Sequence, residues 1–596
     1  MTNDDLRIKE AMRENDEFLL LKGDLTGIQD FIYADIQRGE VGGAKGVAKQ
    51  LRGKSFFVSL LTDFLAEIYL DALDLPIWNL IFAGGGHFNL LIPKSNEVES
   101  KIEEITKNIN LELQRKLQFR LGLVVASQPY NKGNKNEASD SFKNVNRERN
   151  QLKYKPFQNY LSDIFYPKRN FSQAVEFDDI GSFIPHSKYL IQFKASEKVK
   201  QTKSIKRVFT IKLANENFWR NSFIVKGKES KNDSTNSIEV IKDFFEKNET
   251  QILEADILAI NETDYLKDSK AFQNFKFPIG FGFRFTGKYA PTNEDGDLFT
   301  FGELAELDAV NNDSNYYPQL SIMRLDVDDL GAIFGEGLGK NADLKQIAAL
   351  SREMSLFFEG HFNTLAKRYE IYVVYSGGDD AFVVGSWRNM IAFAQALHRD
   401  FHKYTRQNKY LHFSAGVFTC APNYPVARFY EDAAELEEKA KRGSKNQINI
   451  FGHTLAWDSF NSMIDLGKDL LKITADFKGE DDQTEKIKDS DKLSKTLVYK
   501  LLRIIKSSFY EKDTEDGGQI IKKGAVNTER LFRNMANLRF LFARHGYTEK
   551  KIEDAQHKLT GRIIKTFLNN FSNGKMAKNY TVALNYVLLR LRKPKV

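Results

Sequence analysis

The chain has 596 residues, with 87 Lys and Arg against 80 Asp and Glu for a formal charge of +7, 42% apolar residues and one cysteine, Cys420. At roughly 100–200 residues per domain, that length implies about three to five folded units and excludes a single large core. A lone cysteine excludes an internal disulfide framework and zinc sites built on paired cysteines, and with an acidic start and no long uncharged apolar run we expect a cytoplasmic protein with no membrane partner.

Taken in chain order, an apolar run Phe18–Leu21 predicts a strand that leads into Gly23-Asp24-Leu25-Thr26-Gly27-Ile28-Gln29-Asp30-Phe31-Ile32. About sixty residues on, Trp78–Phe82 leads into Gly84-Gly85-Gly86-His87 and a second apolar run, Phe88–Ile92. The polar stretch 131–155, with Arg147, Arg149, Lys153 and Lys155, reads as a solvated loop. In 194–207, Lys198, Lys200, Lys203, Lys206 and Arg207 face a single Glu197, which fits either a solvated strand edge or an RNA contact. Breaker-rich segments at 131–150, 226–237 and 478–492 read as linkers and divide the chain into four parts.

The second half repeats the first in a more acidic form. Ile322–Leu325 leads into Asp326-Val327-Asp328-Asp329-Leu330-Gly331, and Tyr372–Tyr375 leads into Gly377-Gly378-Asp379-Asp380 and Phe382–Val384. Both copies read as strand, tight turn, helix and a hairpin closed by glycines. Helices are predicted over 344–367 and 390–402, a strand through Ser414-Ala-Gly-Val417, and a helix over 430–442 carrying Ala440-Lys441. Beyond 492 the pattern is helical, with Leu497, Val498, Leu501, Leu502, Ile505 and then Leu531, Met535, Leu538, Leu541 and Phe542. We therefore expect domains at 1–130, 131–310, 311–460 and 461–596.

Pairing the strand that ends in Asp326 with the hairpin holding Asp379 and Asp380 would crowd three or four carboxylates together. A hard divalent cation relieves that repulsion, and Mg²⁺ (or Mn²⁺) bound by one or two carboxylates leaves sites for substrate phosphates. Two such ions suit in-line phosphoryl or nucleotidyl transfer, one activating the attacking hydroxyl and the other stabilising the leaving pyrophosphate. Lys441, late on its helix, is placed to reach a triphosphate. Two decoys are set aside: Gly335-Glu-Gly337-Leu-Gly339-Lys340 lacks Walker spacing and reads as a loop, and His398 with His402 lack a third ligand and read as structural.

Asp326-Val-Asp-Asp329, the Gly-Gly-Asp-Asp turn, the Ser414–Val417 strand and the Ala440-Lys441 helix together resemble the palm domain of diguanylate cyclases and class III nucleotidyl cyclases. With Leu51-Arg-Gly-Lys-Ser-Phe56 and Ala83–Phe88 added, the whole chain resembles the large polymerase-like subunit of type III CRISPR effector complexes, in its Csm branch. The resemblance implies an α+β fold with two ferredoxin-like palms, an intervening α/β domain and a C-terminal helical bundle. It implies synthesis of cyclic oligoadenylates from ATP when CRISPR RNA in a multi-subunit complex captures target RNA. Asp326, Asp379 and Asp380 would then be catalytic and, with the Val327 carbonyl, would ligate metal. Gly377, Gly378, Asp328, Asp329, Leu330, Gly331 and Lys441 would contact the donor nucleotide, and Asp24, Thr26, Gly84, Gly85, Gly86 and His87 the acceptor. The sequence has no His-Asp dipeptide, so no HD-type DNA cleavage is expected, and one cysteine cannot build the zinc site that relatives carry between the palms. Transfer of AMP to another acceptor such as S-adenosylmethionine, and a non-catalytic RNA-binding scaffold, are the alternatives.

Overall fold

The computed structural model describes residues 17–37, 43–117, 120–131, 137–155, 177–199, 202–213, 216–227, 236–307, 317–337, 344–474, 492–509, 514–516, 519–521, 525–548, 552, 559–571 and 574–592. Strands β1 (Glu17–Thr26), β2 (Leu80–Gly84), β3 (His87–Pro93) and β4 (Gly122–Asn131) form one sheet in the order β2-β3-β1-β4. Helices α1 (Ile28–Gln37) and α2 (Gly43–Ala72) fill the first crossover and α3 (Asn96–Leu117) the second. This is the ferredoxin-like order.

The second copy repeats it. Strands β10 (Leu320–Val327), β11 (Tyr372–Gly377), β12 (Asp380–Ser386) and β13 (Phe413–Cys420) lie in the order β11-β12-β10-β13, extended by the short strands β14 (Gln447–Ile450) and β15 (His453–Ala456). Alternation along β10 sorts its side chains between two cores. Ile322 joins the apolar cluster shared with Leu19, Leu21, Phe88 and Leu90 of the first palm, whereas Met323 and Leu325 join the cluster that runs into the C-terminal helices. The two palms are thus packed through a common core rather than tethered.

Between them lies a five-stranded sheet, β6-β7-β5-β8-β9, built from β5 (Ser187–Ala195), β6 (Ile205–Ile211), β7 (Trp219–Lys226), β8 (Ile252–Ile260) and β9 (Ile279–Arg284). The helix Ser237–Lys247 covers it with Ile241, Phe244 and Phe245. The basic run divides: Lys194 lies on the inner strand β5 and bridges Asp71 and Glu254, while Lys206 and Arg207 lie on the edge strand β6.

Two expectations are corrected. The stretch read as a loop over 131–155 is largely a helix, α4 (Glu137–Lys153). Its apolar signal is confined to Phe142 and Val145, one turn apart and buried in a cluster with Leu20 and Ala126, so its overall polarity concealed it. The Gly335–Lys340 segment begins not as a loop but within a π-helical turn, Ile333–Gly337, with 338–340 outside the described residues. Most of the other two linker segments, residues 228–235 of one and 478–491 of the other, also lies outside them.

The final helix Gly574–Arg590 packs on Trp457–Lys472 and Lys495–Ser507, completing the helical region. Among the described residues no helix is long and apolar enough to cross a membrane.

Candidate active site between the two palms

Strand register places the acidic residues. Antiparallel pairing of β10 with β12 sets Asp326 opposite Asp380, and the Val327 N–H donates to the Asp379 carbonyl at 2.9 Å. The hairpin can turn because Gly378 takes φ +66°, a conformation that costs an L-residue about 1–2 kcal/mol. Burial raises the pKa of Asp326, Asp379 and Asp380, and the last two are raised further by neighbouring carboxylates. The Tyr375 hydroxyl donates to Asp380 at 3.0 Å.

Lys441 sits at the end of α5 (Phe429–Lys441) and is placed on carboxylates: its ammonium contacts Asp326 at 2.5 Å and Glu437, one turn back, at 2.7 Å. The helix reaches the sheet because Gly416 has no side chain. A Cβ there would stand 2.2 Å from the Glu437 nitrogen.

Asp328, expected at the nucleotide, is instead buried structure. Its Oδ2 accepts from His412 Nδ1 at 2.8 Å, Ser414 Oγ at 2.9 Å and the Asn446 N–H at 3.0 Å. Asp329 is exposed at φ +57° and pairs with Lys445. Leu330 and Gly331 open a helical turn of three residues, Leu330–Ala332, and nothing lies within 4 Å of a Cβ built on Gly331.

The first palm uses the same slots differently. Its register sets Asp24 opposite His87, as Asp326 stands opposite Asp380, so the histidine occupies the second aspartate's place. Gly85 and Gly86 form the turn at φ +58° and +83°, after Gly84 ends β2. Asp24 is buried and bridged by Arg149 and, at 2.7 Å, by Lys153, both from α4. The buried Lys22 donates to Asn146 of α4 at 2.8 Å, and burial reinforced by Arg149 draws its pKa down to about 7. His87 is held well below the ordinary imidazole range by burial and then by these cations. The Thr26 hydroxyl donates to the Gly122 carbonyl at 3.3 Å. Asp24 and Thr26 are therefore occupied within the palm, and Lys22, with Arg149 and Lys153 from the stretch read as a solvated loop, are the polar groups that sequence reasoning did not place at the site. Arg149 and Lys153 are four apart on α4, a spacing that becomes informative only once the helix is known.

The two turns face one another. A Cβ on Gly378 would lie 3.6 Å from the Gly85 Cα, Lys22 lies close enough to Asp379 to pull its acidity back, and Tyr33 of α1 stacks on Tyr430 of α5 with ring centres 4.1 Å apart. The contact between the two palms thus has carboxylates on one side and cations on the other. Behind Gly377 stands Glu359, whose acid burial pushes up to about 7 despite Arg284. Among the described residues no three His, Cys, Asp or Glu side chains converge tightly enough to hold a metal ion as they stand. Asp326, Asp379 and Asp380, raised by burial and the last two also by the neighbouring aspartates, nonetheless have the chemistry a hard cation offsets, a role Lys441 fills in part at Asp326.

Comparison with known proteins agrees with this arrangement. Residues 319–449 match the family model of the Cas10/Cmr2 second palm domain, and residues 17–170 that of Csm1 subunit domain B. The chain is 26% identical over 601 residues to the single-strand-specific deoxyribonuclease Cas10/Csm1 (subtype III-A) of Streptococcus thermophilus, covering 98% of this chain and 69% of that protein. With the corresponding Methanocaldococcus jannaschii protein it shares 25% over 512 residues, 74% of this chain and 60% of the relative. Its fold matches a Csm1–Csm4 cassette in complex with pppApA (TM-score 0.62, 20% identity, 99% of this chain and 72% of that one) and such a cassette in complex with cA4 (0.61, 19%, 97% and 71%). These likenesses support the two-palm architecture.

Proposed function

We propose that this chain, a Csm-like Cas10 subunit by its two palms and its length-wide similarity to Cas10/Csm1, joins adenylate units from ATP into cyclic oligoadenylates at the cleft between the palms. The observation that carries the reading is the opposition of the Gly85 and Gly378 turns, with Asp326 and Asp380 paired on one side and Lys22, Arg149 and Lys153 gathered on the other.

The donor nucleotide lies over the second palm, where the Gly377-Gly378 backbone allows close approach. The acceptor's 3′-hydroxyl comes from the first palm and attacks the donor α-phosphate, a new phosphodiester bond forms, and pyrophosphate leaves. Asp326, Asp379 and Asp380 would hold Mg²⁺, which supplies charge neutralisation at the phosphates and a more acidic hydroxyl. For that, Lys441 moves from Asp326 towards the incoming triphosphate, exchanging one anionic partner for another. Asp328 fixes the end of β10 from behind and touches no nucleotide. The excess of cations on the first palm favours a triphosphate-bearing acceptor over a sulfonium such as S-adenosylmethionine. Guide RNA, target RNA and neighbouring effector subunits are the partners this reading requires.

The test is mass spectrometry of products from the RNA-bound complex given ATP and Mg²⁺, with and without S-adenosylmethionine. Oligoadenylates from ATP alone are expected, and Asp379→Ala with Asp380→Ala should abolish them while RNA assembly persists. A mixed adduct would reassign the acceptor. No product with target RNA verified as bound would leave a scaffold.

A further inference from the structure

Away from the cleft, a cavity of about 530 Å³ opens at the joint between the middle domain and the second palm. Its lining includes Lys288, Lys367 and His186 and no carboxylate, with Asn261, Asn363 and Thr364 as neutral polar groups and Phe285 and Tyr289 as aromatic walls. A volume in this range holds a mononucleotide-sized molecule. The charge is uncompensated from inside as well. The Lys288 ammonium reaches only neutral oxygens, the Ser187 carbonyl, its hydroxyl at 3.4 Å and the Pro185 carbonyl at 3.5 Å. Near it lies Arg52, 2% exposed, whose Nε and Nη2 lack hydrogen-bond partners and whose guanidinium stacks on Tyr372 at 4.2 Å. Burial, then Arg52, draws the Lys288 pKa down to about 7, as expected of a cation lacking an anion. Among the described residues neither Arg52 nor Lys288 forms an ion pair.

The cavity wall is also joined to the strand that carries the glycine–aspartate turn. The Asn363 side-chain oxygen accepts from the N–H groups of Lys288 and Tyr289, at 3.0 and 2.8 Å, and the Tyr289 carbonyl accepts from the Val373 N–H of β11 at 2.9 Å. Two residues before Tyr289 and three beyond Val373, a Cβ on Gly287 would stand 2.8 Å from Ser376 Cβ, next to Gly377. Any shift of 287–290 is therefore felt on β11.

We propose that this cavity binds a small phosphorylated molecule of mononucleotide size, its phosphate between Lys288 and Lys367 and its body against Phe285 and Tyr289, and that occupancy acts on β11. The site is separate from the proposed reaction, so it is tested in the assembled complex carrying Asp379→Ala and Asp380→Ala, where no turnover interferes. The probe is 8-azido-ADP, photolysed and mapped by peptide, with and without excess inorganic phosphate. Label on 285–292 or 360–367, suppressed by phosphate, is expected. It should be about tenfold weaker with Lys367→Ala, a change at an exposed rim residue, and be retained with Lys288→Arg. Exchange of the Val373 amide should slow when ADP is bound. Label confined to peptides around Gly85 and Asp379, or cavity label equal in every variant, would overturn the proposal. Label removed by RNA alone would make an RNA backbone the occupant and overturn it equally.

Discussion

Replacing Asp328 with alanine separates a structural role from a substrate-binding one. The carboxylate is 1% exposed and its Oδ2 serves three donors from three places in the chain, His412, Ser414 and the Asn446 N–H. Each hydrogen bond to a charged group contributes about 1.5–3 kcal/mol, but they share one oxygen, and Asp328 Oδ1 is buried without a partner, so part of the gain is offset by desolvation. His412 keeps 22% of its side-chain exposure and can turn to water. We expect a loss of about 2–4 kcal/mol. The readouts are the denaturant midpoint of the isolated chain and faster exchange of the amides of Asp328 and Asn446. Asp329→Asn, at the exposed neighbour, should stay within about 0.5 kcal/mol. A stability loss below about 1 kcal/mol for Asp328→Ala, with ATP binding lost, would refute the reasoning and return Asp328 to the nucleotide.

Other expectations follow from the same packing. Gly416→Ala drives a Cβ into the backbone of α5 and should lower both stability and product yield, whereas Gly331→Ala, with no protein atom within reach of its Cβ, should leave the melting temperature unchanged in paired thermal melts. Arg149→Ala with Lys153→Ala strips Asp24 of its cations and should raise the ATP concentration for half-maximal synthesis about tenfold or more, while donor analogue binding to the second palm is retained; equal loss of both would count against an acceptor role. His398, stacked on Trp457, and His453 are each drawn down to about 4 by burial, so the unfolded chain takes up protons first and stability should fall as pH drops from about 6.5 towards 4. Measuring the midpoint across that window for His398→Phe against the parent chain checks it: the variant should lose less.

The repeat was legible because each copy carries its information in a short stretch: apolar runs to make strands, and glycines where the backbone must turn at positive φ. That gave the pairing of Asp326 with the Asp379-Asp380 hairpin before any coordinate. Asp328 could not be read in the same way, since its partners His412 and Asn446 are 84 and 118 positions away and nothing local distinguishes a buried carboxylate from a ligating one. Helix α4 was missed because only two buried apolar side chains carry it, too few to outweigh its polar residues. Lys441 is legible in part from local spacing. Its place on the helix was correct, but the i, i+4 relation to Glu437 already indicated a local carboxylate partner beside any phosphate.

Placing the two copies in register gives the strongest argument for a division of labour. One fold offers the same pair of positions twice, Asp24 with His87 and Asp326 with Asp380. In the first palm the aspartate is neutralised by Arg149 and Lys153 and its opposite number is an imidazole held uncharged, so no site for a cation remains and positive charge is in excess. In the second palm burial raises all three carboxylates, Asp326 raises Asp379 and both raise Asp380, with Lys441, Arg324 and Lys22 only partly offsetting them, so the carboxylates remain raised. Two equal nucleotides could not use such walls equally. On the proposed reaction the acidic wall would serve the nucleotide whose phosphates arrive with cations, and the basic wall the nucleotide held by its phosphates alone, so the second palm would give the α-phosphate and the first the hydroxyl.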